Sequence, residues 1–316
     1  MPAWARNGPL VLVGKGRARD GRACGAGNCG THSGPECSQK RRKQRTMTWD
    51  WKTARRTLIG MVHVRALPGT PRHQLPVKEI VRIAVEEART LCEAGFDAIL
   101  LENMHDVPYL RREVGPEITA TMTAVAVAVR SAVDCPLGVQ ILAGANREAL
   151  AVAHAAGADF VRAEGFVFSH VADEGWMDAD AGELLRYRRV IGAERVKVFA
   201  DVKKKHASHA VTADVDLADT AHAAEFFGAD GIIVTGAATG RETSPDDVAA
   251  VARAISLPVL VGSGTTPENL ARLWPHADGF IVGSWLKRGG KWDEALDLER
   301  VRAMVQAATS LRERQC

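Results

Sequence analysis

The sequence predicts an α/β fold, a single (β/α)₈ TIM barrel, and three observations carry that expectation. Short β-rich runs alternate with helical periods along most of the chain, the entries to alternate runs repeat one phrase, and the first run lacks a dinucleotide-binding loop. The runs read as strands are 58–64, 98–103, 137–142, 160–166, 196–202, 231–236, 258–264 and 279–286. Helical stretches lie between them at 78–94, 116–133, 146–156, 180–191, 214–227, 245–254 and 267–273, and a closing helix covers about 297–311. Near-continuous apolar strands separated by helices are the pattern of a parallel sheet covered on its faces.

The repeat points to closure. Even-numbered strands are entered through Ala94-Gly95-Phe96-Asp97, Ala156-Gly157-Ala158-Asp159, Gly228-Ala229-Asp230 and Ala277-Asp278-Gly279. Glycine there ends a helix in the left-handed conformation, and Asp begins a tight turn. The third and seventh strands are entered alike, through Asp134-Cys135-Pro136 and Ser256-Leu257-Pro258. Four copies of a (βα)₂ unit make eight strands. After the first strand comes His63-Val64-Arg65-Ala66-Leu67-Pro68 rather than G-x-G-x-x-G, which argues against an open dinucleotide-binding sheet. Ser244-Pro245-Asp246-Asp247 and Thr266-Pro267-Glu268 each read as a helix start, with a cap, a proline in the first turn and acids near the positive end.

At 316 residues, 46% hydrophobic and 25% charged, the composition is that of a globular protein, and no apolar run is long enough for a membrane helix. Residues 1–46 carry ten Lys/Arg against two acids, which leaves 31 basic and 36 acidic residues for the remainder. A slightly acidic body argues against a nucleic-acid partner. Residues 1–46 are read as an extension outside the fold: a mis-assigned start with Met47 as the first residue, a targeting peptide, or a disordered arm. The barrel domain is then 47–316. Cys24, Cys29 and Cys37 lack zinc-site spacing, and Cys92 and Cys135 read as small core residues, which fits a reducing, cytoplasmic setting. A mitochondrial location is the alternative if the extension is a targeting peptide.

Barrel active sites lie at the carboxyl ends of the strands, so polar residues late in each strand are the candidates. They are His63; Glu102 and Asn103, with His105 and Asp106 behind them; Gln140; Arg162 and Glu164; Asp201 and Lys203; and Thr235. Glu102, Asp201, Lys203 and Arg162 are the predicted catalytic group, and His63, Asn103, Gln140, Glu164 and Thr235 the predicted substrate contacts. Strand parity predicts that Lys203 points inward and Lys204 away. Glu102–Arg162 and Asp201–Lys203 are the ion pairs to expect if the cluster only ties strands together. Gly262-Ser263-Gly264-Thr265-Thr266 and Gly283-Ser284 follow the last two strands and predict a phosphate site, because glycines let backbone N–H groups approach an anion. Gly262, Ser263, Gly264, Gly283 and Ser284 are its residues, with Lys287 and Arg288 as possible helpers. The sixth loop, 236–243, is rich in small residues and suits a lid.

Several of these segments also resemble the BtpA/SgcQ family. They are Gly60-Met61-Val62-His63-Val64 with Leu67-Pro68-Gly69-Thr70-Pro71, Glu102-Asn103 with Asp106-Val107-Pro108, and Gly115-Pro116. Gly138-Val139-Gln140-Ile141-Leu142 with Ala145-Asn146, and Asp201-Val202-Lys203-Lys204-Lys205-His206, continue the match. Val261-Gly262-Ser263-Gly264-Thr265 and Ala277-Asp278-Gly279-Phe280-Ile281-Val282-Gly283-Ser284 complete it over about 57–310. One departure is Arg162-Ala163-Glu164, where the resemblance leads one to expect Asn last. The resemblance implies a barrel of the ribulose-phosphate-binding kind, and it links the bacterial founder to photosystem I biogenesis.

Two functions follow as expectations. One is a metabolic enzyme acting on a small phosphorylated, sugar- or nucleoside-like substrate by aldolase, isomerase or lyase chemistry, a carboxylate moving a proton and a lysine stabilising charge or forming an imine. The other is a non-catalytic assembly factor, for which Trp285 and Trp292 are candidate contact residues. No organic cofactor is expected; a divalent metal on Glu102, His105 and Asp201 is compatible, as is a homo-oligomer.

Overall fold

The apolar runs become eight parallel strands: β1 Thr57–His63, β2 Ala98–Glu102, β3 Leu137–Gln140, β4 Phe160–Ala163, β5 Lys197–Val202, β6 Gly231–Val234, β7 Val259–Val261 and β8 Gly279–Val282. Each pairs with its sequence neighbours and β8 returns to β1, so the sheet closes into a barrel. The helices are α1 Val77–Ala94, α2 Pro116–Ala132, α3 Asn146–Ala156, α4 Ala181–Val190, α5 Leu217–Phe226, α6 Pro245–Ala254, α7 Pro267–Leu273 and α8 Leu298–Glu313. This computed structural model describes residues 51, 56–236 and 242–314. The expected extension 1–46 and most of the expected lid, 237–241, lie outside the described residues.

Alternation along the strands divides two cores. Outward-facing Val62, Leu101, Val139, Val161, Val198 and Val261 meet the apolar faces of the helices. Inward-facing Ile59, Met61, Leu100, Phe160, Phe199, Ile233, Leu260 and Ile281 fill the barrel, and Trp51 packs edge-on against Phe160 and Phe199 at 5.2 and 4.8 Å. Two large rings need two empty positions beside them. Gly138 is registered with Phe160 and Gly231 with Phe199; a Cβ on either would fall 2.3 or 2.2 Å from the ring. Interior packing here is a matching of large and small across neighbouring strands.

The repeated entry phrase has a structural meaning at the base of the barrel. The carboxylates of Asp97, Asp159, Asp230 and Asp278 accept hydrogen bonds from the backbone N–H of Leu58, Leu137, Val198 and Val259, at 2.7, 2.9, 3.0 and 2.9 Å. Each Asp also donates its own N–H to the carbonyl of that same residue, at 2.9, 2.7, 2.8 and 2.8 Å. The start of every odd strand is thus clamped by the start of the next even one. A charged acceptor satisfies an N–H that the ladder leaves unpaired. Gly95 and Gly157 adopt φ 109° and 70° at the ends of α1 and α3, as the phrase requires. Ser244 and Thr266 cap α6 and α7, the latter in a reciprocal capping box with Asn269.

Two features depart from expectation. Cys92, at the end of α1, and Cys135, before β3, are joined as a disulfide rather than standing as separate thiols, although both pack against the core. Their 43-residue separation hides the fact that these two segments lie side by side. At the mouth, His170–Ala172, Gly175–Met177 and Ala207–Ser208 form a small antiparallel sheet within segments read as loop. Arg112 anchors this region: its guanidinium donates to the carbonyls of Gly144, Glu164, Gly165 and Asp178 and pairs with Asp180 at 2.7 Å.

Candidate functional site

His63, Glu102 and Gln140 end three adjacent strands and stand in register, His63 beside Glu102 and Glu102 beside Gln140. All three are buried. The Nδ1 of His63 lies 2.9 Å from the carbonyl oxygen of Trp292, which can only accept, so Nδ1 carries the hydrogen and Nε2 is a bare acceptor. Burial and nearby Lys287 push the ring down to about 3, so it is neutral at physiological pH. Its Nε2 faces a Glu102 carboxylate oxygen at 3.7 Å. Burial pushes the Glu102 carboxyl above the usual range, although Arg162 and Lys205 pull it back. Two acceptors facing each other need a shared proton or a ligand that donates between them.

Arg162 is paired with Asp201, not with Glu102. Its Nε and Nη2 donate to the two Asp201 oxygens at 3.0 and 2.9 Å, and both side chains are buried. Burial works against the guanidinium's charge, but Asp201 outweighs it and holds Arg162 protonated. Glu164 accepts from Gln140 at 3.2 Å and from Lys204 at 3.1 Å. Burial raises its carboxyl, yet Lys204 and Arg162 together hold it below the usual range. Gln140 Oε1 and Thr235 Oγ1 are buried with no hydrogen-bond partner among the described residues.

Lys203 is not the lysine of the mouth. Regular alternation stops when β5 ends at Val202, and Lys203 turns to φ 45°. Its Nζ donates to the carbonyl of Val215, away from the cavity that Glu102 lines. Lys204, expected to point away, is buried against Glu164 and Glu174. Lys205 takes the place predicted for Lys203. It lines the cavity with Met61, His63, Glu102 and Arg162, and sequence parity could not have found it across the break at Lys203. Asn103 is likewise corrected: its amide donates to Asp106 at 2.7 Å and its oxygen accepts from the Leu142 N–H at 2.7 Å, while Asp106 accepts from Leu67 at 2.8 Å. That chain braces three loops and commits both the amide nitrogen and the oxygen of Asn103 to the protein. Glu102, His105 and Asp201 do not gather as a metal set, and among the described residues no group of three His, Cys, Asp or Glu is placed to hold one.

Across the cavity, which has a volume of about 130 Å³ and opens to solvent, stand Gly262, Ser263, Gly264, Gly283 and Ser284. Gly264 sits at φ 67°, in the left-handed region, and its carbonyl accepts from Asn269 at 2.7 Å. Ser263 is partly committed: its Oγ accepts the Gly236 N–H at 2.8 Å and its carbonyl accepts from Thr243. Among the described residues, no hydrogen bond occupies the N–H of Gly264, Gly283 or Ser284. Lys287 does not assist here: it is buried and bonded to Glu87 at 2.6 Å, and Arg288 is exposed and off the cavity wall. Trp285 and Trp292 are not a surface patch either. Trp292 packs beside His63 and His105, and Trp285 lies against the core under Arg300.

Fold and mouth together define a (β/α)₈ barrel protein with a charged, half-open pocket at the carboxyl ends of its strands. The model of the BtpA family matches residues 54–310, and the chain belongs to that family. It is 46% identical over 265 residues to an uncharacterized protein of Caenorhabditis elegans whose name includes "mitochondrial", covering 82% of this chain and 95% of the relative. It is 36% identical over 251 residues to the photosystem I biogenesis protein BtpA of Synechocystis, covering 79% of this chain and 87% of that one. Among solved structures, thiamine phosphate pyrophosphorylase from Pyrococcus furiosus shares the fold at TM-score 0.51 and 15% identity, with 81% of this chain and 96% of that chain covered. Phosphoribosyl anthranilate isomerase from Thermus thermophilus does so at TM-score 0.51 and 14% identity, with 81% and 99% covered. Among the described residues, no helix is long and apolar enough to cross a membrane.

Proposed function

We propose that the chain is a metabolic enzyme acting on a small phosphorylated, sugar- or nucleoside-like compound by aldolase, isomerase or lyase chemistry. The observation that carries this reading is the two-sided cavity. One wall offers the N–H groups of Gly264, Gly283 and Ser284, and the other offers His63, Glu102, Arg162 and Lys205. A phosphate on the glycine wall places the rest of a short substrate against the proton-moving groups. Glu102, with its raised carboxyl, gives or takes the proton; His63 Nε2 accepts a hydrogen bond from a substrate hydroxyl; Arg162, fixed by Asp201, stabilises developing negative charge. Both solved barrels above are named for phosphorylated compounds, which accords with the reading. The word in the worm relative's name supports the mitochondrial alternative over the cytoplasmic one.

The test is melting temperature against inorganic phosphate and pairs of phosphorylated and dephosphorylated metabolites. A ligand at 100 times its Kd stabilises by about 2.7 kcal/mol. Only the phosphorylated partner should shift the transition, and Ser284→Asp, which sets a negative charge on the glycine wall, should abolish the shift in a protein that still folds. A second reading, an assembly factor, draws on Phe168, Val171 and Trp176, exposed in and beside the small sheet at 38%, 43% and 44%. It takes the lead if no phosphorylated compound moves the wild-type transition.

A further inference from the structure

The cations around the mouth are not equivalent. Arg162 is held by Asp201, Lys204 by Glu164 and Glu174, Lys203 by the carbonyl of Val215, and Lys287 by Glu87. Lys205 alone of these five makes no hydrogen bond and no ion pair among the described residues. It stands in the cavity wall with Glu102 and His63, and the glycine loops of β7 and β8 line that same cavity. A lysine used for structure is paired; an unpaired lysine in a pocket that also holds a proton donor has the makings of a nucleophile.

We propose that Lys205 forms an imine with the substrate, which makes that substrate a phosphorylated aldehyde or ketone. The inference rests on the reading of the cavity given under Proposed function. The Nζ lone pair attacks the carbonyl carbon as the C=O π pair moves to oxygen, and a proton passes from the new ammonium nitrogen to that oxygen to give a neutral carbinolamine. The hydroxyl then takes a proton from Glu102 and leaves as water, the nitrogen lone pair closes the C=N bond as a protonated iminium, and Glu102 is left as the carboxylate. Glu102 is suited to this because burial favours its protonated form. Burial and the neighbouring Arg162 charge also push the Lys205 amine below its ordinary range, which raises the fraction of free base. The resulting iminium withdraws electrons from the adjacent carbon, the step that aldol cleavage and keto–aldo isomerisation both require.

The test treats the full chain with glycolaldehyde phosphate and sodium cyanoborohydride, which reduces an imine to a stable secondary amine. Peptide mapping should find Lys205 labelled severalfold faster than other lysines, since its lowered amine holds more free base. Inorganic phosphate should slow that labelling, and Lys205→Arg, which keeps the charge but cannot form the imine, should remove it without lowering the melting temperature by more than a few degrees. Labelling spread evenly over surface lysines, and unchanged in Lys205→Arg, overturns the proposal. If phosphate stabilises the wild type and not Ser284→Asp, yet Lys205 stays unlabelled, the imine fails while the phosphate reading stands. If glycolaldehyde without phosphate labels Lys205 equally well and phosphate does not compete, the lysine's role stands and the phosphate reading falls.

Discussion

At the base of the barrel Asp97, Asp159, Asp230 and Asp278 do one job four times, each accepting the N–H that opens an odd strand. At the mouth the strand-end residues do different jobs. His63 is a neutral acceptor, Glu102 a carboxyl with a raised pKa, Gln140 an amide whose buried oxygen has no partner among the described residues, and Arg162 a fixed cation. The base charges are spent on backbone groups and several are reinforced by cations, Arg130 on Asp159 at 3.3 Å and Arg188 on Asp230 at 3.0 Å. The mouth holds its charge in less water and leaves part of it uncommitted. A repeated motif marks where a fold is being held, and the breakdown of repetition marks where a ligand can be recognised.

Four substitutions separate the two ends. Arg162→Met should have the largest effect, about 3–5 kcal/mol lost in urea unfolding, because it strands the buried Asp201 carboxylate. A loss under about 1 kcal/mol would show that the pair is not sealed from water. The pH dependence comes next. His63 has a folded pKa of about 3, below its ordinary value, so the unfolded chain takes up the proton first as pH falls. The stability it contributes at neutral pH is therefore lost between about 6.5 and 3, with about 2.7 kcal/mol gone by pH 4.5. His63→Gln should flatten the decline between pH 7 and 4.5 by that amount. Asp106 and Asp180, both raised to about 6, work in the opposite sense in either protein and cancel in the comparison.

Asp159→Ala tests the base and should cost about 1.5–3 kcal/mol by leaving the Leu137 N–H without its acceptor, while phosphate-dependent stabilisation persists. If phosphate binding disappeared as well, the two ends would not be independent. Lys205→Met should change stability least, by under about 1 kcal/mol, since it breaks no ion pair among the described residues. A large loss there would mean that Lys205 is structural after all.

The same contrast explains what could be read from the sequence. All eight strands and the eight helices were legible, because alternation and helical period act over whole segments and Asp97 or Gly157 recur at fixed places in the repeat. Glu102, Gln140, Arg162 and Asp201 were legible as mouth residues because they sit inside strands or at their ends, in phase with buried neighbours such as Leu100 and Phe199. Where the strand ends, phase ends with it. The left-handed turn at Lys203 moved Lys204 and Lys205 onto faces that counting by twos could not assign. Asn103 and Asp106 looked like binding groups, and only the positions of Leu67 and Leu142 show them to be braces. The small sheet was invisible because strands of two or three residues carry too little pattern to count.

The aspartate clamps also bear on how the chain folds. They join residues only 39, 22, 32 and 19 positions apart, so each can close before the barrel does. Loop-closure entropy grows slowly with length, and contacts this local cost little to form early. The pairing of β1 with β8, by contrast, spans nearly the whole barrel. Four clamped units assembling in any order, with the β1–β8 seam closing last, make a route in which Asp159→Ala slows refolding and a disturbance at the seam chiefly speeds unfolding. Stopped-flow rates for the two kinds of variant measure that order directly.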